Sequence, residues 1–313
     1  MIYAPLGPSG LVVSRVGLGC NNFGARMADE DVPAVVHAAI DAGVTLFDTA
    51  DIYGNVGGSE TLLGKALRGR RDQVVVATKF GMDMQGANGP DWGARGSRRY
   101  IRIAVENSLR RLDTDWIDLY QYHEPDGVTP IEETLGALTE LVAEGKVRYI
   151  GSSNLAGWQV IDADWTAKTS GCEAFISAQN EYSWLNRSAE TELVPALEHT
   201  GLGLLPFFPL ARGLLTGKYR RGESAPEGSR LARAGLSSHL TEAAFDTVEA
   251  LTAFADERGI TLLDIAIGGL AAMPGVASVI AGATKVSQVE ANVAAGQWQP
   301  TPEDLQTLAD LTA

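Results

Sequence analysis

The chain has 313 residues, 45% of them hydrophobic and 20% charged, which is the composition of a globular protein with an ample core. A formal net charge of −14 argues against general binding to nucleic acid or to an anionic membrane surface, because an acidic body repels phosphates. Cys20 and Cys172 are the only cysteines; they give neither a disulfide framework nor a zinc-type Cys/His spacing, so no metal is expected.

The first ten residues, MIYAPLGPSG, lack the basic and apolar regions of a signal peptide. No apolar run approaches the ~18 residues of a membrane-spanning helix, and a cytoplasmic location is the default expectation. Residues 2–6 and 11–14 flank GPSG and read as a small hairpin. Beyond it one pattern recurs: a short apolar run, a loop, then a segment with helical periodicity. The apolar runs fall at 16–20, 44–48, 74–79, 116–123, 147–153, 174–179, 202–207 and 276–282.

The segments between them carry helix signals. Ser59 is placed to cap a helix whose one face holds Leu62, Leu63, Ala66 and Leu67. Ile101, Val105, Leu109 and Leu112 form a second stripe. TPIE at 129–132 reads as a capping box with proline at the first helical position, ahead of Leu135, Leu138 and Val142 and a stop at Gly145. Strands alternating with helices imply parallel pairing through right-handed crossovers. Eight such units predict an α/β fold of the (β/α)8 TIM-barrel type, one domain spanning 1–313, with active-site residues at the C-terminal ends of the strands. A doubly wound sheet is the alternative. Two long loops, 81–97 and 211–241, fall on that same C-terminal face, where long loops commonly act as lids or ligand straps.

Four polar residues also fall there. Asp48 ends VTLFD, Tyr53 follows in a Gly-containing loop, Lys79 ends VVVATK and His123 ends WIDLYQYH. Singly, each is more often a turn, packing or surface residue. Together at one barrel mouth they suit proton transfer: a lysine cation makes a phenol more acidic, an aspartate keeps the lysine charged, and a neutral imidazole orients a substrate oxygen. Spacing alone leaves a rival, a Schiff-base lyase with Lys79 as nucleophile. GLGCNNFG at 17–24 does not fit GxGxxG, so a nicotinamide cofactor would have to bind the barrel mouth instead of a Rossmann loop.

The motifs VSRVGLGCNNFG, LFDTADIYG, GSETLLGKAL, VVVATKFG, DLYQYH, VRYIGSSN, QNEYSWLNR, FPLARGLLTGKY and VIAGATKVSQVEANV resemble, in order and along nearly the whole chain, those of the aldo-keto reductase family. The resemblance implies that Asp48, Tyr53, Lys79 and His123 form the family's catalytic tetrad, with Tyr53 the general acid. It implies NADP(H) as cofactor and a small-molecule carbonyl compound as substrate. Ser153, Asn154 and Gln179 match the residues that bind the nicotinamide carboxamide, and Phe207 the aromatic that stacks on the ring. Pro209, Leu210, Arg212 and Lys218 match the pyrophosphate segment. Gly282, Thr284, Lys285, Gln288 and Asn292 match the pocket for the adenosine end and its 2′-phosphate, beside the start of a helix. Gly19 and Cys20 join the cofactor side of the mouth. The chain departs from the family pattern at Cys20, Phe208, Thr284 and Ala291, which leaves Lys285 as the clamp for the 2′-phosphate. The same resemblance admits an alternative to catalysis, an NADP(H)-binding regulatory barrel like the potassium-channel β subunits.

Overall fold

A computed structural model describes residues 1–232 and 237–313. The N-terminal hairpin forms as expected, with β1 (Tyr3–Pro5) antiparallel to β2 (Val12–Ser14). The eight apolar runs then become β3 (Val16–Gly19), β4 (Leu46–Asp48), β5 (Val75–Phe80), β6 (Ile117–Tyr122), β7 (Val147–Ser153), β8 (Ser177–Gln179), β9 (Gly203–Leu204) and β10 (Val279–Gly282). They make one parallel sheet in the order β10-β3-β4-β5-β6-β7-β8-β9. Parallel bridges Leu204↔Val276 and Phe207↔Ile280 join its two ends. With the alternating helices, this is a (β/α)8 barrel.

Helices α1 (Val32–Asp41), α2 (Tyr53–Ala66), α3 (Arg98–Leu112), α4 (Ile131–Ala143), α5 (Gly157–Ser170) and α6 (Leu193–Thr200) each follow a strand. The stripe read from α3 is its inner face: Ile101, Val105, Leu109 and Leu112 are all buried in the layer between helices and sheet. After β9 come a long loop, α7 (Glu242–Arg258) and α8 (Leu262–Asp264), the last continuing as a π-turn over Ile265–Gly269. α9 (Val286–Ala295) and α10 (Pro302–Leu311) complete the chain. A second core gathers Phe245, Leu251 and Phe254 of α7 with Leu308 of α10 around Trp184, whose indole N–H donates to Ile265 O across 2.8 Å.

Inside the barrel, alternation along each strand points Leu46, Ala77 and Leu119 to the axis, where they pack with Leu6 and Val13 of the hairpin. The hairpin therefore stoppers the N-terminal end. Gly7 makes this possible: its φ is +56°, and a Cβ there would lie 2.1 Å from Ile176 O.

Two expected helix caps are not made. Ser59 lies inside α2, which begins at Tyr53 through left-handed residues 54–57, and its hydroxyl donates to Cys20 O. At 129–132, Pro130 precedes the helix, and the Thr129 hydroxyl donates to Asp126 instead of closing a capping box. The Ser59 hydroxyl has found a distant tertiary partner, and the Thr129 hydroxyl a local one three residues upstream. The loop expected over 211–241 is a succession of 3-10 turns at Ala211–Thr216, Arg230–Ala232 and Ser237–His239; its residues 233–236 lie outside the described residues. Among the described residues no helix is long and apolar enough to cross a membrane.

Candidate active site

The next inward positions above Leu46, Leu119 and Ser177 are Asp48, Gln121 and Gln179, supplied by the alternate strands β4, β6 and β8. They form a polar layer over the apolar one. The Gln179 amide donates to Asp48 Oδ1 at 2.8 Å and to Gln121 Oε1 at 3.2 Å, and the Gln121 amide donates to Asp48 Oδ1 at 3.3 Å. Lys79, from β5, inserts beside them. Its ammonium donates to both Asp48 oxygens, at 2.8 and 2.7 Å, and to Thr49 O at 2.8 Å. Lys79 is 0% exposed. Burial alone would lower its pKa, but the Asp48 carboxylate and the Tyr53 phenol outweigh that and raise it, so the lysine stays charged.

Tyr53 is carried to the same place by a turn fastened to β5. Thr49 N–H donates to Ala77 O, Asp51 N–H to Lys79 O, and Tyr53 N–H to Ala50 O. The Tyr53 ring centroid lies 5.0 Å from Lys79 Nζ and 5.7 Å from the His123 ring, which meets it edge-on at 85°. The four residues expected to converge do converge. Their electrostatics differ from the expectation in one respect: burial pushes the Tyr53 phenol above its ordinary value by more than Lys79 pulls it down, with Asp48 also raising it. The lysine offsets a burial penalty and does not bring the phenol near neutrality. For His123, burial and then Lys79 drive the pKa well below the usual imidazole value, leaving a neutral ring whose buried Nδ1 has no partner among the described residues.

These groups floor a cleft of about 820 Å³. Tyr53, His123 and Asp48 reach it; Lys79 sits beneath. Of the residues expected on the cofactor side, Gly19, Ser153, Asn154, Gln179, Phe207, Pro209, Leu210, Arg212, Lys218, Gly282, Thr284, Gln288 and Asn292 all line it. Cys20 and Lys285 are not among its lining residues. Cys20 is 0% exposed, its thiol facing Leu18 O, and burial next to Asp48 raises its pKa far above the usual thiol value. Lys285 is exposed at the N-cap of α9.

One end of the wall is a knot of short hydrogen bonds. The Asn154 amide donates to His123 O at 3.0 Å, and the Ser153 hydroxyl to Gln179 O at 2.8 Å. The other end is cationic. Arg212 pairs with Glu181 at 2.9 Å, and Arg212 and Arg230 each lie 4.6 Å from the Phe208 ring. Phe208, Ala211 and Arg212 hold positive φ values of 56°, 44° and 57°, so this segment is bent as non-glycine residues rarely are. Three lining or supporting groups went unseen in the sequence. Gln121 was legible, since it alternates with Leu119 and His123. Arg230 and Phe208 as a stacked pair were not, because they stand 22 positions apart in an irregular loop.

The sequence profile of the Aldo/keto reductase family matches this chain over residues 15–313. The chain belongs to the aldo/keto reductase family. It is 38% identical to a probable voltage-gated potassium channel subunit beta of Oryza sativa subsp. japonica, covering 97% of this chain and 94% of that protein. It is 37% identical to the uncharacterized oxidoreductase YrpG of Bacillus subtilis (strain 168), covering 99% and 96%. It is 35% identical to the L-glyceraldehyde 3-phosphate reductase of Escherichia coli O157:H7, covering 94% and 87%. As an aldo/keto reductase, the chain is of the oxidoreductase class that acts on small-molecule carbonyl groups, and members generally use a nicotinamide dinucleotide.

Proposed function

We propose that this aldo/keto reductase is an NADP(H)-dependent reductase of aldehydes and ketones, sugar-like carbonyls among them, with Tyr53 as the general acid. The observation that carries the reading is the meeting of Tyr53 and His123 over a buried Lys79–Asp48 pair at the floor of one large cleft. When bound, the cofactor supplies hydride to the carbonyl carbon. The chain's own residues do the rest. A neutral His123 holds the substrate oxygen by a hydrogen bond, and Tyr53 gives that oxygen its proton. The Lys79 charge favours the phenolate that this leaves, and Asp48 keeps Lys79 protonated.

The donor set fits a long anionic cofactor. The carboxamide end matches the Ser153–Asn154–Gln179 knot beside Phe207, and phosphates match Arg212 and Lys218 farther along the cleft. A preference for NADP(H) rests on Lys285 and the opening amides of α9. Tyr53→Phe tests the acid: turnover with NADPH and a simple aldehyde falls by about a hundredfold or more while NADPH affinity is kept. Equal turnover in variant and parent removes Tyr53 from the role.

A regulatory barrel is the second reading, favoured by the names of the rice relative and of an Arabidopsis thaliana protein 36% identical to this chain. A panel of aldehydes separates the two, because a regulatory barrel retains cofactor with negligible steady-state rate. The lyase has little support. The three protons of the Lys79 ammonium are all donated, and the group does not reach the cleft.

A further inference from the structure

Close to Tyr53, and not among the residues that line the cleft, lies a second buried acidic group with no part in the reaction as described. Asp51 and Glu60 are both 0% exposed. Glu60 is fully satisfied: Thr78 Oγ1 donates to its Oε1 at 2.5 Å and Arg111 Nε to its Oε2 at 2.6 Å. Arg111 spends another N–H on the Ser108 hydroxyl. Neither Asp51 oxygen has a hydrogen-bond partner of good geometry among the described residues, although the Ile52 amide lies close. The Tyr120 hydroxyl, also buried, is likewise unpartnered.

Charge balance in this region is informative. The buried carboxyls are Asp48, Asp51 and Glu60; the cations among them are Lys79 and Arg111. Lys79 is committed to Asp48 and Arg111 to Glu60, so an ionised Asp51 would be a third anion without a cation of its own. A buried carboxylate in that position is neutralised by taking up a proton. The titratable groups facing Asp51 are Tyr53 and Glu60 from α2, Lys79 from β5, Tyr100 and Arg111 from α3, and Tyr120 from β6.

We propose that Asp51 is held as a neutral, protonated carboxyl close to the reaction centre, and that it is a positioning residue for Tyr53: its proton keeps a second anion away from the phenol and so keeps the phenol the stronger acid. The shift of Asp51 well above the usual carboxylate value, through burial first and Glu60 second, points the same way. The part concerning Tyr53 rests on the reading of Tyr53 as the acid; the protonation state does not.

Infrared spectroscopy of the whole protein in D2O near neutral pH reads the proton directly. The expected spectrum contains the C=O band of a protonated carboxyl, lost in Asp51→Asn. Glu60→Gln provides a second route should that variant fail to fold, since it frees Arg111 for Asp51 and the band is again lost. No such band in the parent, or a band that survives either substitution, overturns the proposal. The positioning role is read from the pH profile of kcat. The parent loses activity in two steps as pH rises, one when Asp51 ionises and weakens the phenol, the other when Tyr53 itself loses its proton; Asp51→Asn shows only the Tyr53 step. Superimposable profiles refute the positioning role. Full turnover in Tyr53→Phe would instead mark a failure of the acid assignment, which the infrared band does not depend on.

Discussion

Asp48 accepts hydrogen bonds from Lys79, Gln121 and Gln179, each of which comes from a different strand. Removing the cation leaves that carboxylate in the barrel axis with two amides for company. Lys79→Met is therefore expected to lower unfolding stability by about 3–5 kcal/mol, measured by urea denaturation, because the loss is chiefly the cost of an uncompensated buried charge. Asp48→Asn added to Lys79→Met should recover part of it. A single-variant loss within ~1 kcal/mol would mean that the pair contributes no more than an exposed ion pair. The convergence of these four residues was legible in the sequence because Asp48, Lys79 and His123 each end an apolar run and Tyr53 follows closely behind Asp48. The direction of the Tyr53 shift was not, since it depends on how far the turn at 49–53 sinks into the protein. Cys20 shows the same limit: its place in the chain puts it at the mouth, and the fold buries its thiol against Leu18 O.

At the scale of elements, the two loops that border the cleft near His123 share an anchor. The Asp126 carboxylate accepts from Gly96 N–H at 2.6 Å and from the Val128 and Thr129 amides at 2.8 Å each, and Asp126 N–H donates to the Tyr122 hydroxyl at 2.9 Å. Burial works against the charge, but these donors outweigh it and hold the pKa below the usual carboxylate value. For a depressed pKa, the stabilisation is present above the unfolded value of about 3.9 and is lost as pH falls through the folded one. Loop 81–97 is thus expected to loosen only below about pH 4, and Asp126→Ala to loosen it at neutral pH. Proteolysis at 81–97 and the fluorescence anisotropy of Trp92, which is 76% exposed, would report it. Unchanged cleavage in Asp126→Ala would show that the loop's other ties, Asn88 to the Tyr100 hydroxyl and the Thr134 hydroxyl to Gly96 O among them, hold it without Asp126. α9 carries a separate expectation: Lys285→Ala weakens NADPH binding much more than NADH binding, and a parallel loss would count against a 2′-phosphate clamp there. All eight strands could be read from apolar runs, because a parallel strand is buried on both faces. The caps at Ser59 and Thr129 could not. A hydroxyl at a helix start has several partners to choose among, and the choice is made by residues as distant as Cys20.

For the molecule as a whole, the hairpin closes the N-terminal end of a packed barrel. Leu6 is 0% exposed and packs against strands from both halves of the sheet. Leu6→Ala should cost about 2–5 kcal/mol of stability, read from the denaturant midpoint, while leaving turnover per folded molecule unchanged. A drop in turnover beyond the loss of folded protein would couple the floor to the polar layer above it.

That polar layer belongs to the sheet, whereas Met82, Arg212, Lys218 and Arg230 belong to the loops above it. The division separates two inheritances. Under the proposed mechanism, what the protein does to a bond rests on strand register and on the 49–53 turn tied to it, which tolerate no slippage; which molecule it admits rests on irregular segments that can lengthen, shorten or be exchanged. Descendants of such a chain can take up new compounds without relearning how to hand over a proton.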